Sequence, residues 1–187
     1  LGTGSCTVEI EDARGKRDLN ALGPTKLAEL RVLSNLLTAL DLPQALGAQM
    51  SQIVTQNGPL RDPGDLLAYG LAASDMARLA PHVVTLVPVG PVNQGTININ
   101  AASTTVLAAL FGNPRLAQSL AARRAAKGFL DQGDLAALGT ILPSLGTFSS
   151  DTFDVRALSE HGAARVAMSQ RLRRDPETGA ITSLPLK

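Results

Sequence analysis

The hydrophobic period changes twice along this chain, and that fixes most of what it can become. Near the start, Thr7-Val8-Glu9-Ile10-Glu11 alternates with a period of two, as a strand with one buried face does. From Lys26 the period lengthens: Leu27, Leu30, Leu33, Leu36, Leu37 and Leu40 follow helical spacing. After Gly146 alternation returns in 152–158 and 165–172, then in a short run from Ala180 to Leu184. Strand signals therefore flank a helical block. The simplest fold is α+β, an antiparallel sheet with an all-α domain inserted between its strands. The expected boundaries are 1–24 and 147–187 for the sheet-bearing head and 25–146 for the insertion.

Local signals place the elements. Asp12 to Lys16 supplies a turn in which Gly15 is free to take a positive φ, and Gly23-Pro24 is a break. Thr25 is the expected N-cap of the first helix. Asp41 and Pro43 open a second helix through about Val54. Ser74, Ser103 and Pro114 mark later short helices, with Gly112 and Gly128 as their left-handed ends. The uncharged stretch from Leu79 to Pro114 carries three internal prolines and four asparagines and predicts buried loop and turn.

An internal repeat runs through the helical block. Asp62-Pro-Gly-Asp65-Leu-Leu-Ala-Tyr-Gly70 matches Asp131-Gln-Gly-Asp134-Leu-Ala-Ala-Leu-Gly139 at six of nine positions. An apolar residue lies two before each copy, Leu60 and Phe129. In each, the first Asp caps a short helix and the second, at N3, faces the same unpaired amides. Ahead of the second copy, Asn98-Ile-Asn100-Ala precedes a helix, a tight turn and another helix. Over 97–139 this order resembles a helix-hairpin-helix or SAM-like unit; residues 58–79 match only its last part. Asn98 and Asn100 are the side chains expected to hold the start of that unit through local backbone bonds.

Composition excludes more than it identifies. The 187 residues carry 17 Lys+Arg against 16 Asp+Glu, so no net field steers the molecule to nucleic acid or anionic lipid. With 3% aromatic residues, stacking platforms are scarce. Cys6 is the single cysteine, so an internal disulfide and a multi-thiolate zinc site are both excluded. It is expected before the first strand as a passive residue. His82 and His161 stand outside any ligand or triad spacing, and no nucleophile elbow, zinc-protease helix or P-loop is present. Catalytic, cofactor-binding and metal-ligating residues are therefore expected to number none. Arg115, Arg123, Arg124 and Lys127 lie beside the turn Phe111-Gly-Asn-Pro114. They could meet a nucleic-acid backbone, but Pro114 removes an amide from the hairpin, so a solvated face is the preferred reading. A nucleic-acid-binding hairpin module remains the alternative.

Taken in order, these segments resemble the type II secretion minor pseudopilin K family (general secretion pathway protein K). The residues that carry the resemblance are Val8 to Leu22, Leu79 to Leu86, Ile97 to Ala101 followed by Val106 to Leu110, and Phe153 to Ala157. It covers most of the chain. The resemblance implies a pilin-like head with a helical insertion, set in the periplasm and anchored to the bacterial inner membrane by an N-terminal helix. The chain begins at Leu1 without an initiator Met, so that helix is expected upstream. The implied partners are the minor pseudopilins I and J at the pseudopilus tip, with the secretion machinery or exported substrates beyond them. The implied role is capping and export, without enzymatic activity. Two departures accompany this: the helical block is short for the family, and Asp41-Leu-Pro-Gln-Ala-Leu replaces an acidic stretch. The calcium binding that the resemblance implies therefore maps onto no residue here, and no metal site is expected. The interface residues are unknown from sequence.

Overall fold

The computed structural model describes residues 4–87 and 95–184. They form two compact units, one from the two ends of the chain (up to Ala13 and from Ser150) and one from Arg14–Ser149. Residues 88–94, the middle of the uncharged stretch expected as loop and turn, lie outside the described residues.

The first unit is a four-stranded antiparallel sheet. Strand β1 (Gly4–Asp12) pairs with β6 (Thr152–His161), β6 with β7 (Ala164–Arg174) and β7 with β8 (Ile181–Leu184). All four expected strands are present, most of them longer than the alternation indicated. Cys6 lies inside β1, not ahead of it. The β6–β7 hairpin turns on Gly162 at φ 57°. The β7–β8 turn is held by Asp175, whose Oδ1 accepts the N–H groups of Glu177 and Thr178. Those bonds hold the Asp175 carboxyl below its ordinary pKa.

The second unit begins at Arg14, not at residue 25, because Leu19, Ala21 and Leu22 are buried and Leu19 and Leu22 belong to its core. It holds helices α1 (Leu27–Ala39), α2 (Ala45–Asn57), α3 (Ala73–Leu79), α4 (Thr104–Phe111), α5 (Pro114–Lys127) and α6 (Gln132–Ala137), plus a 3₁₀ helix over Pro63–Tyr69. It is not all-α. Strand β2 (Arg17–Asp18) pairs in parallel with β3 (Val83–Val84), and β4 (Ile97–Asn98) with β5 (Gly146–Thr147). The apolar stripe of α1 is Val32, Leu33, Leu36 and Leu37, while Leu27 points to solvent.

Several caps differ from expectation. The N-caps of α1 and α3 are Lys26 and Ala72, neither with a side-chain bond; Thr25 and Ser74 do not cap. Ser103 and Asn113 do cap α4 and α5, and Gly112 and Gly128 are left-handed. Gly15 sits in a short 3₁₀ turn and not at positive φ. Its need is for space: a Cβ there would lie 2.9 Å from the carbonyl oxygen of Ala101.

The internal repeat is larger in space than in sequence. Both Asp pairs form complete capping boxes, Asp62 with Asp65 and Asp131 with Asp134. Each box is preceded by a leucine held by a distant asparagine. Asn100 accepts the N–H of Leu130 at 2.6 Å and donates to the carbonyls of Leu130 and Phe148. Asn20 accepts the N–H of Leu60 at 2.8 Å and donates to the carbonyls of Leu60 and Leu86. Each asparagine follows a parallel strand by two residues: Asp18-Leu19-Asn20-Ala21 answers Asn98-Ile99-Asn100-Ala101. The buried residue ahead of each capping box is thus Leu60 or Leu130, and Phe129 is half exposed. Two copies of strand, helix pair, capped helix and returning strand make the unit.

Candidate interaction surface

In the end-built sheet, directly paired residues project to one face. Val8 opposes Ala157 and Ile10 opposes Val155; Ala157 opposes Met168 and Phe153 opposes Leu172. One face therefore carries Val8, Ile10, Phe153, Val155, Val166 and Met168 in register across three strands. Neither side of β1 is buried, contrary to the expected half-buried strand: Val8 is 55% exposed and Ile10 69%. On the same face Met168 is 56% exposed and Val166 65%. Full burial of such a side chain is worth about 1.5–3 kcal/mol. An apolar face left open, interrupted here by Ser159 and Gln170, is the mark of an interaction surface.

The opposite face is charged. Glu9 opposes Arg156, and Asp154 opposes Arg171. Arg171 grips Asp154 through two bonds, Nε at 2.6 Å and Nη2 at 2.8 Å. Arg173 lies 3.5 Å from Asp151 and Arg165 3.2 Å from Glu160. The bidentate, largely buried pair is the strong member; the exposed Arg165–Glu160 pair adds little. The period-two pattern thus produces one apolar face and one charged face.

Within the helical unit, three of the four candidate basic residues are engaged by the chain itself. Arg123 Nε donates to Asp134 at 2.7 Å, and Lys127 Nζ bonds Asp131 at 2.6 Å and Asp134 at 2.8 Å. Arg124 donates to the carbonyl of Ile99 at 2.6 Å. Arg115 lies on the exposed side of α5. The Lys127 ammonium is the first cause that brings the Asp134 carboxyl down to about 2. These cations brace the second capping box.

The remaining candidates are also placed. Asn98 accepts the N–H of Asn100, closing the turn after β4. His82 is half-buried near Ser103, with its pKa lowered by desolvation and then by Lys16. His161 ends β6, and Cys6 is exposed with a free thiol. Among the described residues, no group of three or more His, Cys, Asp or Glu is positioned for a metal ion, and no helix is long and apolar enough to cross a membrane.

Two residues with a structural role, Asn20 and Arg17, were not among those expected from sequence. Arg17 is fully buried, its Nη1 donates to the Gly95 carbonyl at 2.8 Å, and its Nε and Nη2 have no partner among the described residues. Burial lowers its pKa and raises that of Asp18 beside it. The signal for Asn20 was present in the pairing of Asp18-Leu-Asn20-Ala with Asn98-Ile-Asn100-Ala; Arg17 stands where the second copy has Ile97, and that pattern gives no sign of it.

Comparison with known proteins agrees with this architecture. Residues 97–156 match the family model of type II secretion system protein K. None of the curated proteins matches the sequence. The fold is similar to a chain of the crystal structure of the GspK-GspI-GspJ complex from the enterotoxigenic Escherichia coli type 2 secretion system. That likeness has a TM-score of 0.67 at 21% identity, over 98% of this chain and 79% of the other. The resemblance to protein K thus recurs in the sequence family of 97–156, and the fold resembles that of a chain of the GspK-GspI-GspJ complex.

Proposed function

We propose that this chain is the head of a type II secretion minor pseudopilin of the K family, a non-enzymatic subunit at the tip of the pseudopilus. One observation carries the reading: the segment bearing the protein K signature runs from β4 into β6, a strand of a sheet with one open apolar face. That face has the character needed to receive the apolar flank of a membrane-anchored helix, which would hold the head in the periplasm at the inner membrane. The relative of similar fold was crystallised with GspI and GspJ, so minor pseudopilins I and J are the proposed partners. The repeated helical units, read as helix-hairpin-helix or SAM-like modules, would crown the tip, block further subunit addition and support export. Mixing the chain with its cognate I and J heads at micromolar concentration tests this by light scattering. A stable ternary species is expected; persistent separate monomers would remove the tip assignment.

A further inference from the structure

We infer that the outer edge of β1 is a strand-addition site for an extended segment that alternates aliphatic and basic residues. Among the described residues, in the strand order β1-β6-β7-β8, β1 has a neighbour on one side only. It is nine residues long, and every residue from Gly4 to Glu11 is exposed. In an antiparallel pair, alternate residues direct their N–H and C=O groups away from the partner. These outward groups form a template for another strand.

Of the devices that normally blunt an edge, β1 carries only acidic charge, Glu9, Glu11 and Asp12. Gly4–Asp12 contains no proline, lysine or arginine, and its register with β6 runs in step through nine pairs without a bulge. The opposite edge, β8, is only four residues long. The side chains of β1 also specify the occupant: its apolar residues face apolar residues of β6, and of its two glutamates Glu9 faces Arg156 while Glu11 faces Asp154. Ala157 and Val155 lie opposite Val8 and Ile10. A strand repeating that pattern would extend the apolar face on one side and give Glu9 a second cation on the other. A second copy of β1 fits less well. Full-length self-pairing about Val8 gives the glutamates no cation and sets Glu9 diagonal to its twin, about 7–8 Å away.

The inference stands apart from the secretion-tip reading, which is tested with pseudopilin heads and not with peptide. The test is titration of the isotope-labelled chain with a nine-residue peptide of alternating lysine and valine, followed by amide NMR and hydrogen exchange. Shifts and new protection at alternate amides of β1 are expected. A peptide N-methylated at alternate positions keeps its side chains but loses one row of donors, and it should not bind. Glu9→Lys should weaken the unmodified peptide by about five- to tenfold, since an opposite-charge cross-strand pair becomes a like-charge one. Unchanged binding of the N-methylated peptide, shifts confined to other strands, or no binding would overturn the proposal. Concentration-dependent dimerisation through β1 would overturn the choice of occupant.

Discussion

Single side chains with three backbone bonds dominate the helical unit. Asn100 satisfies one N–H and two carbonyls on segments far apart in sequence. Asn100→Ala orphans all three, so a loss of about 2–4 kcal/mol is expected in a urea melt. Asn20→Ala should cost a similar amount, because Asn20 makes the same set of bonds. Asp134 acts through charge. Its folded pKa, about 2, lies below the ordinary carboxylate value of 3.8. The folded state therefore binds fewer protons there, and the stabilisation is present above pH 4 and lost as pH falls toward 2. Asp134→Asn should lower the melting temperature at neutral pH, with the difference from wild type shrinking across that acid window.

At the scale of elements, the two copies of the repeat test each other. Strand β2 carries Arg17-Asp18 where β4 carries Ile97-Asn98, and Arg17 and Ile97 are both fully buried. Either Arg17→Ile or Asp18→Asn alone leaves one buried charge without its neighbour and should destabilise. The double substitution writes the second copy into the first. Arg17 and Asp18 are neighbouring buried charges that attract one another without a direct bond, and replacing buried charges by apolar or neutral groups is often neutral or stabilising. The double variant is expected to be at least as stable as wild type, with a coupling of about 0.5–3 kcal/mol in a double-mutant cycle. Asp18 also has a pH signature opposite to that of Asp134. Desolvation raises its pKa, so its contribution makes stability fall as pH rises through that range, and Asp18→Asn should remove the slope.

For the whole molecule, the open apolar face separates folding from assembly. Ile10 and Met168 are largely exposed in the chain by itself. Ile10→Lys and Met168→Lys should therefore each change its stability by less than about 0.5 kcal/mol. If the face is covered in the assembled protein, the same variants should abolish that docking, seen as loss of the ternary species in light scattering. A variant that unfolds the isolated chain would show that the face is already packed.

The strands of the end-built sheet, the helical block and the capped repeat were legible because each is a local pattern. A period of two forces Val8 and Ile10 to one side and Glu9 to the other in any pairing. The spacing Asp-x-x-Asp before an apolar run satisfies its own helix end wherever that helix lies. The two faces of the sheet thus follow from sequence alone. What only the tertiary structure decided is what meets across long separations. Asn20 reaches Leu60 and Leu86, Asn100 reaches Leu130 and Phe148, and Gly15 makes room for Ala101. No local pattern encodes those meetings, because a side-chain amide bonds equally well to its own turn. The unit boundary moved to residue 14 for the same reason: Leu19 and Leu22 go where a core is available, and burial is non-directional. Whether the apolar side of β1 would be buried was decided by how many layers cover the sheet, which alternation alone does not specify.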